Sequence, residues 1–300
     1  MATRFEMLLY GDDVVALRAA GEEAIAEIER LEDQLSLYRP SSEIGVLNAR
    51  AARGPVRVSP PVFALLQHAS QLHKETGGAF DITIAPLVNC WGFMGGPGRW
   101  PTPEEVGEAR SRVGMDLIFL NQGDQSVGFT REGVMLDLGA IGKGYAIECA
   151  AEILRETGVT SALIHGGTST VYALGHPPES DYWKVALDQP PALMVASSIA
   201  LPPVLLKDEA VSVSAIWGRS FVREGKIFGH VFDPRTGQPV ADSVMAAVIL
   251  PSATETDALS TALLISGKNG YETITNLRPA MRTLLVTHTD GKLKVENSHF

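Results

Sequence analysis

The sequence predicts an α+β fold: compact mixed or antiparallel sheets with helices packed against them. Three observations lead there. Apolar residues recur at helical spacing in several separate stretches. Strand-sized apolar runs follow one another as in hairpins. Helices and strands do not alternate regularly, which argues against a doubly wound parallel sheet. Length and composition suit such a fold. The chain has 300 residues, 45% apolar, with a mean hydropathy of +0.08. These values belong to a globular chain able to bury a real core, not to a disordered one.

The elements follow in order. Phe5 to Leu9 reads as a short strand. From Asp13 to about Leu35, the residues Val14, Leu17, Ala24, Ile28, Leu31 and Leu35 trace a helix capped by Asp12 or Asp13. Ser59 as N-cap and Pro60 in the first turn start a second helix, with Val62, Leu65, Leu66, Ala69 and Leu72 on one face; Gly77-Gly78 stops it. Gly92 to Thr102 is a loop rich in Gly, Pro and Trp, and Thr102-Pro103-Glu104-Glu105 opens a short helix. Strands are expected at Leu117–Leu120, Ser126–Phe129 and Gly133–Leu136, then a helix from about Gly142 to Glu156. Further strands are expected at Ala162–Ile164, Val171–Leu174 and Tyr182–Leu187, with meandering strands from Val195 to Val231. Val244–Leu250 is a strand, Thr256–Ser266 a helix and Thr283–Thr287 a late strand. No repeat or long linker interrupts the chain, so one domain spanning residues 1–300 is expected.

Charge and cysteine usage exclude several functions. The net charge of −10 argues against a nucleic-acid binder and against an anionic membrane surface. No apolar run approaches the ~20 residues of a membrane span. Cys90 and Cys149 form neither a disulfide framework nor a metal-ligand pair, and Cys149 fits a small core residue. The first residues show no basic segment followed by an apolar one. As written, the chain is expected to be cytoplasmic; an exported protein shown without its leader is the alternative.

Five segments could carry chemistry, and each has a plain structural reading beside it. Asp137-Leu138-Gly139-Ala140-Ile141-Gly142-Lys143-Gly144 opens a helix after an apolar run. It either offers backbone N–H groups and a lysine to an anion, or is only a tight turn. It matches neither a phosphate-binding P-loop nor a dinucleotide fingerprint. His165-Gly166-Gly167-Thr168-Ser169-Thr170 is either a ligand-approaching loop or a hydroxyl-rich turn. In Gly229-His230-Val231-Phe232-Asp233-Pro234-Arg235-Thr236-Gly237, His230 is either a general base or a core histidine with a backbone partner. Asp257 and Thr261 stand four apart on one helix face. They could hold a hard cation such as Mg²⁺, or be a dipole-compensating acid and a threonine bonding its own backbone. Thr76 to Leu87, with Trp91-Gly92, is a helix stop leading into a strand and loop, or a ligand contact.

Taken together and in order, these segments resemble the FAD:protein FMN transferase, or ApbE, family. The resemblance covers nearly the whole chain. It runs through Met1 to Phe5, Leu35 to Tyr38, Ser42-Glu43-Ile44 with Leu47-Asn48, Thr76 to Asp81, Pro86-Leu87, Trp91-Gly92, Asp137 to Gly144, Trp183-Lys184-Val185, Pro190, His230 to Pro239 and Asp257 to Thr261. It implies an architecture related to the T-fold. The implied activity is transfer of FMN from FAD to a Thr or Ser hydroxyl of a target protein, with AMP leaving and Mg²⁺ assisting. Carried over by position, Met1, Tyr38, Ala79, Phe80, Asp81, Asp137 and Lys143 would surround FAD. Asp257, Thr261 and the carbonyl of Ala140 would ligate Mg²⁺, and His230 would be the base. Implied partners are FAD and a flavin-accepting protein, not nucleic acid or a membrane interior.

The chain departs from the family pattern in places. Ala2 replaces a glycine. His165 to Thr170 stands where an Asn…Gly-Gly-Asp segment is usual, and Val213-Ser214-Ala215 where Thr-Ser-Gly is usual. No target-like Ser/Thr-Gly-Ala-Thr segment occurs, so self-modification is not expected. Two other functions stay open on sequence: hydrolysis of FAD to FMN and AMP, and flavin binding without catalysis.

Overall fold

A computed structural model describes residues 3–188, 201–223, 226–289 and 292–300. The chain divides into two compact units, each assembled from separated stretches. One comprises Met1–Glu32, Ile141–Ser214 and Asp242–Phe300; the other comprises Asp33–Ala140 and Ala215–Ala241. Among the described residues no helix is long and apolar enough to cross a membrane.

The first unit is built on a seven-stranded sheet. Its order is Phe5–Tyr10, Ser161–Gly166, Thr170–Leu174, Glu209–Ala215, Ser243–Leu250, Arg282–Thr289 and Lys292–Ser298. Ser243–Leu250 is buried at every position, as its unbroken apolar run requires of an inner strand. The last strand, Lys292–Ser298, was not anticipated. Its apolar residues Leu293 and Val295 alternate with polar ones, a weak signal that suits an edge.

Three long helices belong to this unit in whole or large part. Val14–Leu35 starts as expected, with Asp13 Oδ1 accepting the N–H groups of Val15 and Ala16 at 3.0 Å. Gly142–Glu156 buries Ala146, Ile147, Ala150, Ala151 and Leu154 along one stripe. The third helix, Ala253–Thr275, runs longer than the expected Thr256–Ser266. Gly267, at φ 55° and ψ −154°, breaks it one residue past the expected end, and a second helical segment follows. Ser252 caps its start by accepting from the Glu255 N–H at 3.2 Å.

The two helices Gly142–Glu156 and Ala253–Thr275 touch through glycine. A Cβ on Gly144 would lie 2.1 Å from the Ala253 carbonyl oxygen and 2.8 Å from Asp257 Cβ. Neither obstacle is a flexible side-chain end, so the helices would have to separate. Gly144→Ala is expected to cost about 1–3 kcal/mol, the usual range for overpacking. A lowered urea midpoint measures this, and an unchanged one would show that the contact is not tight.

The second unit holds the helices Glu43–Arg50, Pro60–Glu75, Ala85–Cys90 and Pro103–Arg110. It also holds a three-stranded sheet in the order Val56–Arg57, Ser126–Phe129, Ile118–Asn121. Two short ribbons complete it: Ser220–Arg223 with Lys226–Gly229, and Phe232–Asp233 with Gln238–Pro239. Its aromatic core packs Trp91, Phe93 and Phe232 with Leu87, Val106 and Ala109. Trp91 stacks on Phe232 at 5.6 Å, and its indole N–H donates to the Gly237 carbonyl at 3.0 Å. That contact fixes the Asp-Pro-Arg-Thr-Gly turn against the core.

Two local expectations are corrected. Ser59 stands at the N-cap of Pro60–Glu75, but its hydroxyl makes no capping bond; it accepts from Gln34 Nε2 at 2.8 Å instead. Gly133 lies in a turn at φ 84°, and Val134-Met135-Leu136 joins no sheet. The side chain of Asn48 takes the place of a neighbouring strand. It accepts from the Leu136 N–H at 2.7 Å and donates to the Leu136 carbonyl at 3.0 Å. Leu136 is fully buried, so these bonds satisfy backbone groups that would otherwise be orphaned.

Candidate active site

In the first unit Lys143, Asp257 and Thr261 come together. Asp257 lies just past the first turn of its helix and is only 3% exposed. Its Oδ2 accepts from the Gly144 N–H at 3.1 Å, and its Oδ1 lies 3.2 Å from Lys143 Nζ. Gly144 is the third residue of helix Gly142–Glu156, so its N–H is one of the donors that a helix start leaves unpaired. The anion at this helix start is therefore the protein's own carboxylate. This sharpens both readings from sequence. The N–H and lysine of the glycine turn meet a carboxylate of the protein itself, and Asp257 faces the start of the neighbouring helix rather than its own. In its own first turn the acid is Glu255.

Hydroxyls adjoin the backbone carbonyl of Asp257. Thr261 Oγ1 lies 3.3 Å from the Asp257 carbonyl and 3.0 Å from Ser214 Oγ. Ser260 Oγ lies 3.0 Å from the same carbonyl and 2.8 Å from Ser214 Oγ. Among the described residues no cluster of three or more His, Cys, Asp or Glu side chains could hold a metal. The donor set fits Mg²⁺ nonetheless. It is all hard oxygen with one buried carboxylate, and Mg²⁺ commonly takes one or two carboxylates and completes its shell with water and substrate phosphate.

The remaining candidates belong to the second unit. Ala79 and Phe80 are buried, backbone included, and the Phe80 carbonyl lies 3.1 Å from His73 Nδ1. Thr76, at the end of helix Pro60–Glu75, shapes this backbone: its Oγ1 donates to the Leu72 carbonyl at 2.8 Å and accepts from the Phe80 N–H at 3.1 Å. Gly77 and Gly78 adopt the left-handed φ values of 59° and 78° that the turn needs. Asp81 is spent on internal bonds. Its Oδ1 accepts from Thr83 Oγ1 at 2.5 Å and from the Thr83 N–H at 2.8 Å, and its Oδ2 is 3.2 Å from His73 Nδ1. Asp81 thus orders the segment from within. A cleft of about 590 Å³ opens beside it, lined also by His73, Gly78, Arg110, Asp116 and Arg235.

His73 lines this cleft and faces Asp81, a pairing that sequence reasoning missed; only its place in the last helical turn before Asp81 could have signalled it. Burial pulls its pKa down, but the hydrogen bond and charge of Asp81, with help from the Phe80 carbonyl, raise it above the ordinary 6.5. A raised folded-state pKa contributes stability below the unfolded value and loses it as pH climbs through the folded value. The stability advantage of the native chain over His73→Gln should therefore be largest below about pH 6.5 and shrink above it. Urea midpoints of both proteins across that range check this, and an advantage that grows with pH would contradict it.

Asp137 continues from the Asn48-bound segment. Its N–H donates to the Ile82 carbonyl at 2.7 Å, and its Oδ1 accepts from the Gly139 N–H at 2.8 Å. The carboxylate thereby holds the turn that carries Ala140, which is half-buried. Tyr38 is 60% exposed. His230 Nδ1 lies 3.1 Å from the Arg219 carbonyl. A carbonyl only accepts, so Nδ1 carries the proton in the neutral ring and Nε2 carries the lone pair. The backbone partner expected of a structural histidine is present, although the ring is only half-buried, and it leaves the lone pair on Nε2, the nitrogen a base would use. Met1 lies outside the described residues. Cys149 is no nucleophile here, because burial raises its thiol to about 11.

The ApbE family profile matches residues 1–285. This chain belongs to the ApbE family. Among curated relatives, the FAD:protein FMN transferase of Treponema pallidum is 30% identical, covering 84% of this chain and 72% of its own length. That of Haemophilus influenzae is 29% identical over 83% of this chain and 72% of its own. Among solved structures, the flavin transferase ApbE of Vibrio cholerae superposes with a TM-score of 0.84 at 25% identity, covering 100% of this chain and 94% of that one. The apo flavinyl transferase ApbE of Pseudomonas stutzeri gives 0.82 at 26% identity, covering 99% and 95%. The α+β fold expected from sequence is that of these ApbE structures.

Proposed function

We propose that this chain is a Mg²⁺-dependent FAD:protein FMN transferase acting on a Ser or Thr hydroxyl and releasing AMP. Its relatives carry the name FAD:protein FMN transferase, and one observation supports this chemistry: the buried Asp257 carboxylate lies at a helix start beside Lys143, with Thr261 one helical turn further on.

In the reaction, the acceptor hydroxyl oxygen bonds to the FMN-side phosphorus of FAD. The bond from that phosphorus to the oxygen bridging the two phosphates breaks, and AMP departs with that oxygen. Such a displacement demands positioning, charge neutralisation and a home for the hydroxyl proton. His230 Nε2 takes that proton, its tautomer set by the Arg219 carbonyl. Lys143 would bring positive charge toward the phosphates. Asp257, Thr261 and the Ala140 carbonyl would hold Mg²⁺. When bound, the ion would neutralise charge on the pyrophosphate and the leaving phosphate. Tyr38, which is exposed, would contact FAD, and Met1, Ala79, Phe80, Asp81 and Asp137 are assigned to it by resemblance alone.

Mass spectrometry of the protein incubated with FAD and Mg²⁺, with and without a peptide bearing a Ser/Thr acceptor motif, tests this reading. FMN on the peptide and free AMP are expected. Free FMN and AMP whether or not the peptide is present would make the enzyme a hydrolase instead.

A further inference from the structure

The hydroxyls next to Asp257 have a proton count that the metal reading alone does not explain. Four contacts join Ser214, Ser260 and Thr261 to one another and to the Asp257 carbonyl, at 2.8, 3.0, 3.0 and 3.3 Å. Three hydroxyls bring three protons, so one contact holds none. The longest, from Thr261 to the Asp257 carbonyl, is the natural one to lack it. That carbonyl already accepts from Ser260, and within the helix it also faces the amide four residues on. The protons then order in one direction. Thr261 donates to Ser214, Ser214 donates to Ser260, and Ser260 donates to the carbonyl. Each hydroxyl gives one proton, and none gives a proton to Thr261.

We infer that Ser214 is a positioning residue for the cation site. By accepting the Thr261 proton it turns that hydroxyl's lone pairs toward an incoming cation, with Ser260 and the Asp257 carbonyl as the proton sink. Without Ser214, the Thr261 hydroxyl falls back on its own helix carbonyl, as helical threonines do, and its lone pairs turn with it. The arrangement depends on tertiary structure: Ser214 is in strand Glu209–Ala215, while Ser260 and Thr261 are on helix Ala253–Thr275. The inference rests on the Mg²⁺ reading of Asp257 and Thr261 proposed above.

The test compares the native chain with Ser214→Ala, Ser214→Thr and Ser260→Ala. Two readouts apply: the Mg²⁺ concentration giving half-maximal AMP release from saturating FAD, and Mn²⁺ binding followed by electron paramagnetic resonance without FAD. Orienting partners around metal ligands are commonly worth 10–100-fold in metal affinity. Ser214→Ala should weaken both readouts about tenfold, with turnover recovering at high metal. Ser214→Thr, which keeps the hydroxyl, should restore both, and it carries the test if the alanine variant folds poorly. Ser260→Ala should weaken metal binding less, since the Ser214 hydroxyl stays within reach of Thr261. A lowered melting temperature with unchanged metal constants in Ser214→Ala would overturn the positioning role and leave the Asp257 reading standing. A native chain whose turnover and Mn²⁺ signal ignore metal would overturn both.

Discussion

Asp257→Asn is expected to lower metal-stimulated FMN transfer by about 10²–10³-fold, the range seen when one electrostatic partner of a developing charge is lost. The substitution keeps shape and volume at a nearly closed site. It removes the charge that holds Lys143 at 3.2 Å and that would attract a cation. It also forces a choice at the helix start. The single amide oxygen can still accept from the Gly144 N–H, but the amide nitrogen must then face the lysine, donor against donor. Asp257→Ala would cut activity as well, yet it would confound the result with stability by stripping the anion from Lys143 and the Gly144 N–H together. The asparagine variant is therefore the sharper probe. Initial rates against Mg²⁺, with a melting curve as control, measure it. Metal-dependent turnover close to the native rate would remove Asp257 from the site.

The second large effect is expected at His230. His230→Ala should slow transfer by about 10²–10⁴-fold, the usual contribution of a positioned general base. The loss should appear in kcat, with FAD affinity close to native. The ring is held from one side by the Arg219 carbonyl, and the base role uses the opposite nitrogen. Single-turnover rates separate chemistry from FAD binding and AMP release. A weakened FAD affinity with native single-turnover chemistry would make His230 a binding residue.

The outcomes at particular residues show what was readable in the sequence. Helix Gly142–Glu156 matches its expected bounds because apolar spacing, flanking glycines and the clear strand after it, Ser161–Gly166, all agree. The strand at Val244–Leu250 is equally plain, since its seven buried positions form an unbroken apolar run. Helix Ala253–Thr275 was read only to its kink, because the stretch beyond Gly267 has few apolar residues to give a period. The expected strand at Gly133–Leu136 shows the opposite error. Its residues have strand character, but their hydrogen bonds go to an asparagine side chain 88 positions away. Local pattern reports that a segment is extended and apolar; it does not report what pairs with it.

The site divides along the same line. By itself the sequence determined which residue types were available: a carboxylate and a hydroxyl four apart on a helix, a lysine at a glycine-rich helix start, and a histidine ahead of a turn. These are local facts, fixed by spacing and chemical type. The tertiary structure alone decided their partners. It set Asp257 on the start of a helix 113 residues earlier in the chain, through the Gly144 N–H. It set Ser214 between Ser260 and Thr261, and His73 against Asp81. The physical reason is that hydrogen-bond strength and electrostatic shift depend on distances of about 3 Å. Only the packing of strands and helices into a closed core can bring residues so far apart in sequence to that separation.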